Sequence, residues 1–205
     1  MQEQIVNNFE AAWHVLAQTC GHSWAPGPSY QAWFAHDLIT QFGIDRVASE
    51  PIIQIIDLSD SALKSKGGGG EVRPDIVATR APGITTPPYA NRLGNASDLS
   101  ELGPLKSLAV VSEFKTGASA QRRLQMKSLV RDVDKLQLLL DEFQLNYPKA
   151  KPPLAYSCVL DNHGQQEFDA DTSRRYRRTE APGVKPLIIS ADARPLVCAN
   201  RLITR

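Results

Sequence analysis

Leu108-Ala109-Val110-Val111-Ser112-Glu113-Phe114-Lys115 is an apolar run that ends on two opposite charges. It reads as a β-strand, and its Leu-Ala-Val-Val opening suits a central, buried position. Side chains alternate along a strand, so Glu113 and Lys115 point to the same face. A long helix is predicted directly after it, over about 118–145, with a core stripe of Met126, Leu129, Val130, Val133, Leu136, Leu140 and Phe143. Pro148, Pro152 and Pro153 end that helix, and Leu154 to Leu160 reads as the next strand. Strand, long helix, strand is the βαβ signature, which makes strands 108–114 and 154–160 parallel.

Upstream, Glu71-Val72-Arg73-Pro74-Asp75-Ile76-Val77-Ala78 reads as a second strand, carrying Asp75. Val47 to Asp57 is an isoleucine-rich third, joined to it through the flexible link Gly67–Gly70. These early strands are separated by loops alone, so antiparallel pairing is expected. Residues 81–107 hold Pro82, Gly83, Pro87, Pro88, Gly94, Gly103 and Pro104 and read as a long loop. Val184 to Ser190 reads as a further strand. Nearer the start, Ile5, Phe9, Ala12, Trp13 and Leu16 recur at helical spacing over 3–18. After a Gly- and Pro-containing break from Gly21 to Pro28, Ser29 is placed to cap a second helix running to about Phe42. Tyr30, Trp33, Phe34 and Leu38 form its apolar face, and Gly43 its stop. The expectation is an α/β fold with a mixed central sheet and helices on both faces. It forms one domain over 1–205, with a core of about 29–190 and helix 3–18 as an appendage.

The chemistry suggested by the two central strands is specific. Asp75 and Glu113 offer two carboxylates on neighbouring strands, and two carboxylates can hold a hard cation such as Mg²⁺ through oxygen. Lys115 beside them can steady an attacking water or the charge on a phosphate. That is the arrangement for metal-assisted hydrolysis of a phosphodiester. Pro74-Asp75 and Glu113-Phe114-Lys115, in this order and with a long helix following, resemble the two halves of the PD-(D/E)xK nuclease motif. The resemblance covers roughly residues 29–160 and implies a restriction-endonuclease-like, three-layer fold. It also implies a nuclease that uses Mg²⁺ or Mn²⁺ on nucleic acid, with DNA favoured over RNA. Asp75 and Glu113 would be the metal ligands, the Phe114 backbone carbonyl a third, and Lys115 the catalytic cation. The 37 residues between Asp75 and Glu113 require a sizeable insertion between the two strands. Helix 29–43 has no glutamate where many family members carry a further acid. Asp37 stands on that helix, and Glu50, in Ala48-Ser49-Glu50-Pro51, is the other candidate for an extra catalytic acid. The bland alternative for Glu50 is a strand-end charge beside a proline.

Residues for a nucleic-acid ligand are sought in local patches, because the formal net charge is only +1. Arg123, Lys127, Arg131 and Lys135 recur every four residues along the long helix, where they can contact phosphates or simply form a solvated face, with Asp132 and Asp134 offsetting part of the charge. Gln121 and Gln125, beside that stripe, could also meet the nucleic-acid substrate there. Arg174-Arg175-Tyr176-Arg177-Arg178 is the densest basic cluster, suited to phosphates and a stacked base. Flanking Asp169, Asp171 and Glu180 could instead tie those arginines into internal pairs.

Other classes find little support. His14, His22, His36 and His163 lack metal-ligand spacing, and no Ser–His or Cys–His motif points to nucleophilic catalysis. Gly67–Gly70 lacks the ending of a phosphate loop. Cys20, Cys158 and Cys198 are odd in number and far apart, which points to free thiols and a cytoplasmic setting. The opening residues lack the pattern of a signal peptide, and no apolar run reaches the ~20 residues of a membrane span. The rival to a nuclease is a non-catalytic nucleic-acid- or protein-binding module on the same fold, or a nuclease subunit active only in a complex. A homodimer would be natural for double-strand cutting, and a larger complex is the alternative.

Overall fold

The computed structural model describes residues 2–20, 25–54, 71–82, 103–117, 124, 126–162, 176 and 181–190. Two helices open the chain, α1 (Gln2–Cys20) and α2 (Gly27–Phe42). Short strands β1 (Val47–Ser49), β2 (Ile53–Gln54), β3 (Glu71–Val72) and β4 (Ile76–Thr79) follow. A 3₁₀ turn at Gly103–Ser107 leads into β5 (Leu108–Thr116), then α3 (Met126–Asn146), β6 (Leu154–Asp161) and β7 (Val184–Ser190).

Five strands form one mixed sheet in the order β1-β4-β5-β6-β7. The β1–β4 and β4–β5 pairs are antiparallel, and β5–β6 and β6–β7 parallel. Strand β5 is therefore the middle strand, and its first seven residues are all buried, as its apolar run predicts. Pro186, which has no N–H to donate, is tolerated because β7 lies at the sheet edge.

Helices cover both faces. On one, Phe9, Trp13 and Leu16 of α1 and Tyr30, Phe34 and Leu38 of α2 pack on Ile76, Val110, Phe114, Tyr156 and Leu160. Phe9 stacks on Tyr156 at a centroid distance of 4.3 Å, and Trp13 meets Phe114 edge-on at 5.7 Å. Helix α1 is thus a wall of the core; its amphipathic pattern gave the buried face but not what that face would cover. On the other side Leu129, Val133, Leu136 and Phe143 of α3 pack on Val77, Val111, Ala155 and Val159. This parity assigns Val111, Glu113 and Lys115 to the α3 side of the sheet and Phe114 to the opposite side.

Several local expectations are revised. The strand expected over 47–57 is split. Glu50 adopts a left-handed φ of 47° and is followed by Pro51, so the ladder of β1 ends there. Strand β2 then leaves the main sheet and pairs with β3 as a separate antiparallel ribbon. Helix α2 begins before Ser29, with a proline in its first turn, and Ser29 is an ordinary first-turn residue whose N–H reaches the Pro26 carbonyl. Gly43 does close that helix, at φ 95°, with its N–H on the Ile39 carbonyl at 2.8 Å. Trp33, expected on the buried face, is 37% exposed. Of the helix expected over 118–145, α3 covers Met126–Asn146 with Leu124 outside it, and 118–123 and 125 lie outside the described residues. Gly67–Gly70 lies outside the described residues. No helix of the described residues is long and apolar enough to cross a membrane.

Candidate active site

Strand β4 pairs with β5 so that Ile76 faces Ser112 and Val77 faces Val111. One step further, Asp75 comes opposite Glu113, on the face that α3 covers. The two motif halves, with 37 residues between Asp75 and Glu113, are therefore neighbours across one antiparallel pair. Asp75 is held from three sides. Its Oδ2 accepts the Phe114 N–H at 2.7 Å, and its carbonyl accepts the Glu50 N–H at 2.9 Å and the Gln31 side-chain amide at 3.1 Å. Its carboxylate orientation is fixed by the central strand itself.

Glu113 is 1% exposed. Lys135 Nζ of α3 lies 2.5 Å from its Oε1 and also donates to the Arg73 carbonyl at 2.9 Å. Lys115 Nζ lies 2.9 Å from Asp132 Oδ2, 4.0 Å from Asp75 Oδ2 and 3.4 Å from the Phe114 carbonyl. At 2.5 and 2.9 Å the Lys135–Glu113 and Lys115–Asp132 contacts are within ion-pairing distance. Glu113 Oε2 is buried without any hydrogen-bond partner among the described residues. Three carboxylates, Asp75, Glu113 and Asp132, and two ammonium groups, Lys115 and Lys135, thus share one partly buried site.

The charges perturb one another. Burial first, then the neighbouring charge of Asp75, pushes the Glu113 carboxyl up to about 8, although Lys135 works in the opposite sense. Burial pulls the Lys115 ammonium toward neutrality, but Asp75, Asp132 and Glu113 outweigh it and hold it above the ordinary lysine value. Asp132 is raised by burial, with Lys115 pulling it back. A buried, unpartnered carboxylate oxygen beside a second carboxylate is a place where a cation relieves both desolvation and repulsion.

The donor set suits a hard divalent cation. Asp75, Glu113 and the Phe114 carbonyl are all oxygen donors, and Mg²⁺ is commonly held by one or two carboxylates with water and substrate phosphate completing its shell. The free Glu113 Oε2 is consistent with that role. Among the described residues, no three His, Cys, Asp or Glu side chains are grouped so as to hold a metal. The fit is therefore to a sparse site of two carboxylates.

Glu50 contributes its backbone N–H to the Asp75 carbonyl, and its residue is exposed at the edge of the site. Asp37 lies 3.9 Å from His36 and about 9 Å further along α2 than Gln31, the residue of that helix that reaches Asp75. The basic stripe divides: Lys127 and Arg131 are exposed, whereas Lys135 is turned onto Glu113. Gln121, Arg123, Gln125, Arg174, Arg175, Arg177 and Arg178 lie outside the described residues. Tyr176, expected to stack a base, is 2% exposed and packed in the α3-side core, with its hydroxyl on Ser157. Ser157 is the register partner of Glu113 on β6, so that ring is wall material beside the site rather than an open stacking platform.

Asp132, Lys135 in its pairing role and Gln31 are the residues that sequence reasoning passed over. A signal existed for Asp132: it falls three residues after Leu129 and four before Leu136, on the apolar stripe itself. No protein-family model, no curated protein and no solved structure matches this chain.

Proposed function

We propose that this protein is a divalent-metal-dependent nuclease of restriction-endonuclease-like fold, hydrolysing phosphodiester bonds of nucleic acid, with DNA favoured over RNA. The observation that carries this reading is the meeting of Asp75, Glu113 and Lys115 at the middle of the sheet, with Lys115 Nζ 4.0 Å from Asp75 Oδ2. Bound by Asp75, Glu113 and the Phe114 carbonyl, Mg²⁺ or Mn²⁺ would supply charge neutralisation at the phosphate and an acidified water. The chain's own residues do the rest. The Phe114 N–H fixes the Asp75 carboxylate, so that ligand is oriented before substrate arrives. Lys115 presents a fixed positive charge to the developing charge on phosphorus oxygens, and Lys127 and Arg131 offer exposed cations on the adjoining helix for the phosphate backbone. Glu50 is the candidate for a further acid at the rim. A cytoplasmic setting rests on the free thiols of Cys20 and Cys158.

One observation favours the rival, a binding module without catalysis: Glu113 and Asp132 each already face a lysine, so the cluster is largely charge-balanced from within. A cleavage assay separates the two. Wild type and Asp75→Ala are compared on supercoiled plasmid, linear duplex, single-stranded DNA and RNA with Mg²⁺, Mn²⁺ or EDTA. Metal-dependent cutting that disappears in the variant supports the nuclease. Binding without cutting on every substrate favours the module, or a subunit that works only within a complex.

A further inference from the structure

We infer that Asp132 of α3 is the positioning residue for Lys115. The inference rests on the nuclease reading for its consequence in catalysis, but not for the contact itself. Asp132 is 7% exposed and sits among Leu129, Val133 and Leu136 on the face that packs against the sheet. A carboxylate at such a position is strongly unfavourable unless it is paired. Its pairing is with Lys115, at 2.9 Å from Oδ2, whereas Asp75 is 4.0 Å from the same ammonium. Lys135, three residues on, is committed to Glu113 and the Arg73 carbonyl.

The arrangement has a chemical purpose. A lysine carries its charge on a flexible four-carbon stem, and a catalytic charge acts only where it is held. Asp132 draws the ammonium toward α3 and keeps it beyond hydrogen-bond distance of Asp75. The Asp75 carboxylate then stays available as a ligand, while Lys115 remains beside it. Helix α3 therefore completes the site begun by the two strands, and the residue directly responsible lies outside the strand motif.

The test reads Lys115 itself. The ¹H–¹⁵N signal of a lysine ammonium is observed when the group is held and its exchange with water is slow. A Lys115 signal, assigned by its loss in Lys115→Ala, is expected in wild type and in Asp75→Asn and absent in Asp132→Asn. Persistence of the signal in Asp132→Asn, or its loss in Asp75→Asn alone, overturns the inference. If Asp132→Asn does not fold, Asp132→Glu keeps the charge on a longer stem and must shift the signal; an unmoved signal overturns the inference equally. In the cleavage assay, Asp132→Asn is expected to lower kcat by about 10- to 100-fold with KM within about twofold. It should cause no further loss in a Lys115→Ala background. Multiplicative losses there contradict a role through Lys115. An inactive wild type overturns the nuclease reading alone, because the ammonium signal still decides who holds Lys115.

Discussion

Replacing Glu113 by glutamine tests the electrostatics of the site without any assumption about substrate. The folded protein holds this carboxyl at about 8 against an ordinary 4.5, because it is buried and faces Asp75. Between those values the folded chain keeps a proton that the unfolded chain has released. The stabilisation linked to that proton is complete below about pH 4.5 and is lost as pH rises through about 8. Each pH unit is worth about 1.4 kcal/mol, so the whole interval is bounded at about 5 kcal/mol. Glutamine has the same shape and no titration. Urea unfolding of both proteins at about pH 5, 7 and 9, in EDTA so that no cation binds the ionised form, measures the difference directly. Wild type should lose about 3–5 kcal/mol relative to Glu113→Gln across that range. Parallel stability curves for the two proteins would refute the burial and repulsion argued for Glu113.

Further outcomes follow from the same structure. If a divalent cation binds through Glu113, it must expel the proton held there, so Mn²⁺ added at about pH 6.5 in weak buffer should release about one proton per ion from wild type and far less from Glu113→Gln. Calorimetry in buffers of different ionisation heat reads this, and equal release from both proteins excludes Glu113 as the ligand. Trp13→Ala should destabilise by about 3–5 kcal/mol in denaturant unfolding, since its ring is 1% exposed against Phe34 and Phe114; a loss below about 1 kcal/mol would return α1 to the status of an appendage. Tyr176→Phe should cost about 1–2 kcal/mol through the stranded Ser157 hydroxyl while leaving unchanged any nucleic-acid affinity that the wild type shows. Weakened binding at unchanged stability would mean that the ring contacts ligand after all.

The central architecture was legible because it rests on burial. Leu108 to Phe114 is apolar on both faces save for Ser112 and Glu113, which places it mid-sheet, and the 3.6-residue stripe of α3 specifies its buried side. Gly43 was legible for a steric reason, its positive φ. What escaped detection depends on partners distant in sequence. Glu50 turns the chain out of β1 through a conformation that its own side chain does not favour, stabilised in part by its N–H on Asp75. Asp132 and Lys135 look like solvated charges until Lys115 and Glu113 are seen beneath them. Tyr176 sits among arginines in sequence but finds Ser157 in space. Within the candidate site, the strand motif pointed to Asp75, Glu113 and Lys115, which the structure brings together, and the helix that completes their charge balance could be found only from packing.

The most direct test of the account is single-turnover cleavage by Lys115→Ala beside wild type, with substrate binding and thermal unfolding measured on the same samples. The account expects turnover to fall by about 100-fold or more while binding and fold are retained. Cleavage at the wild-type rate would contradict it.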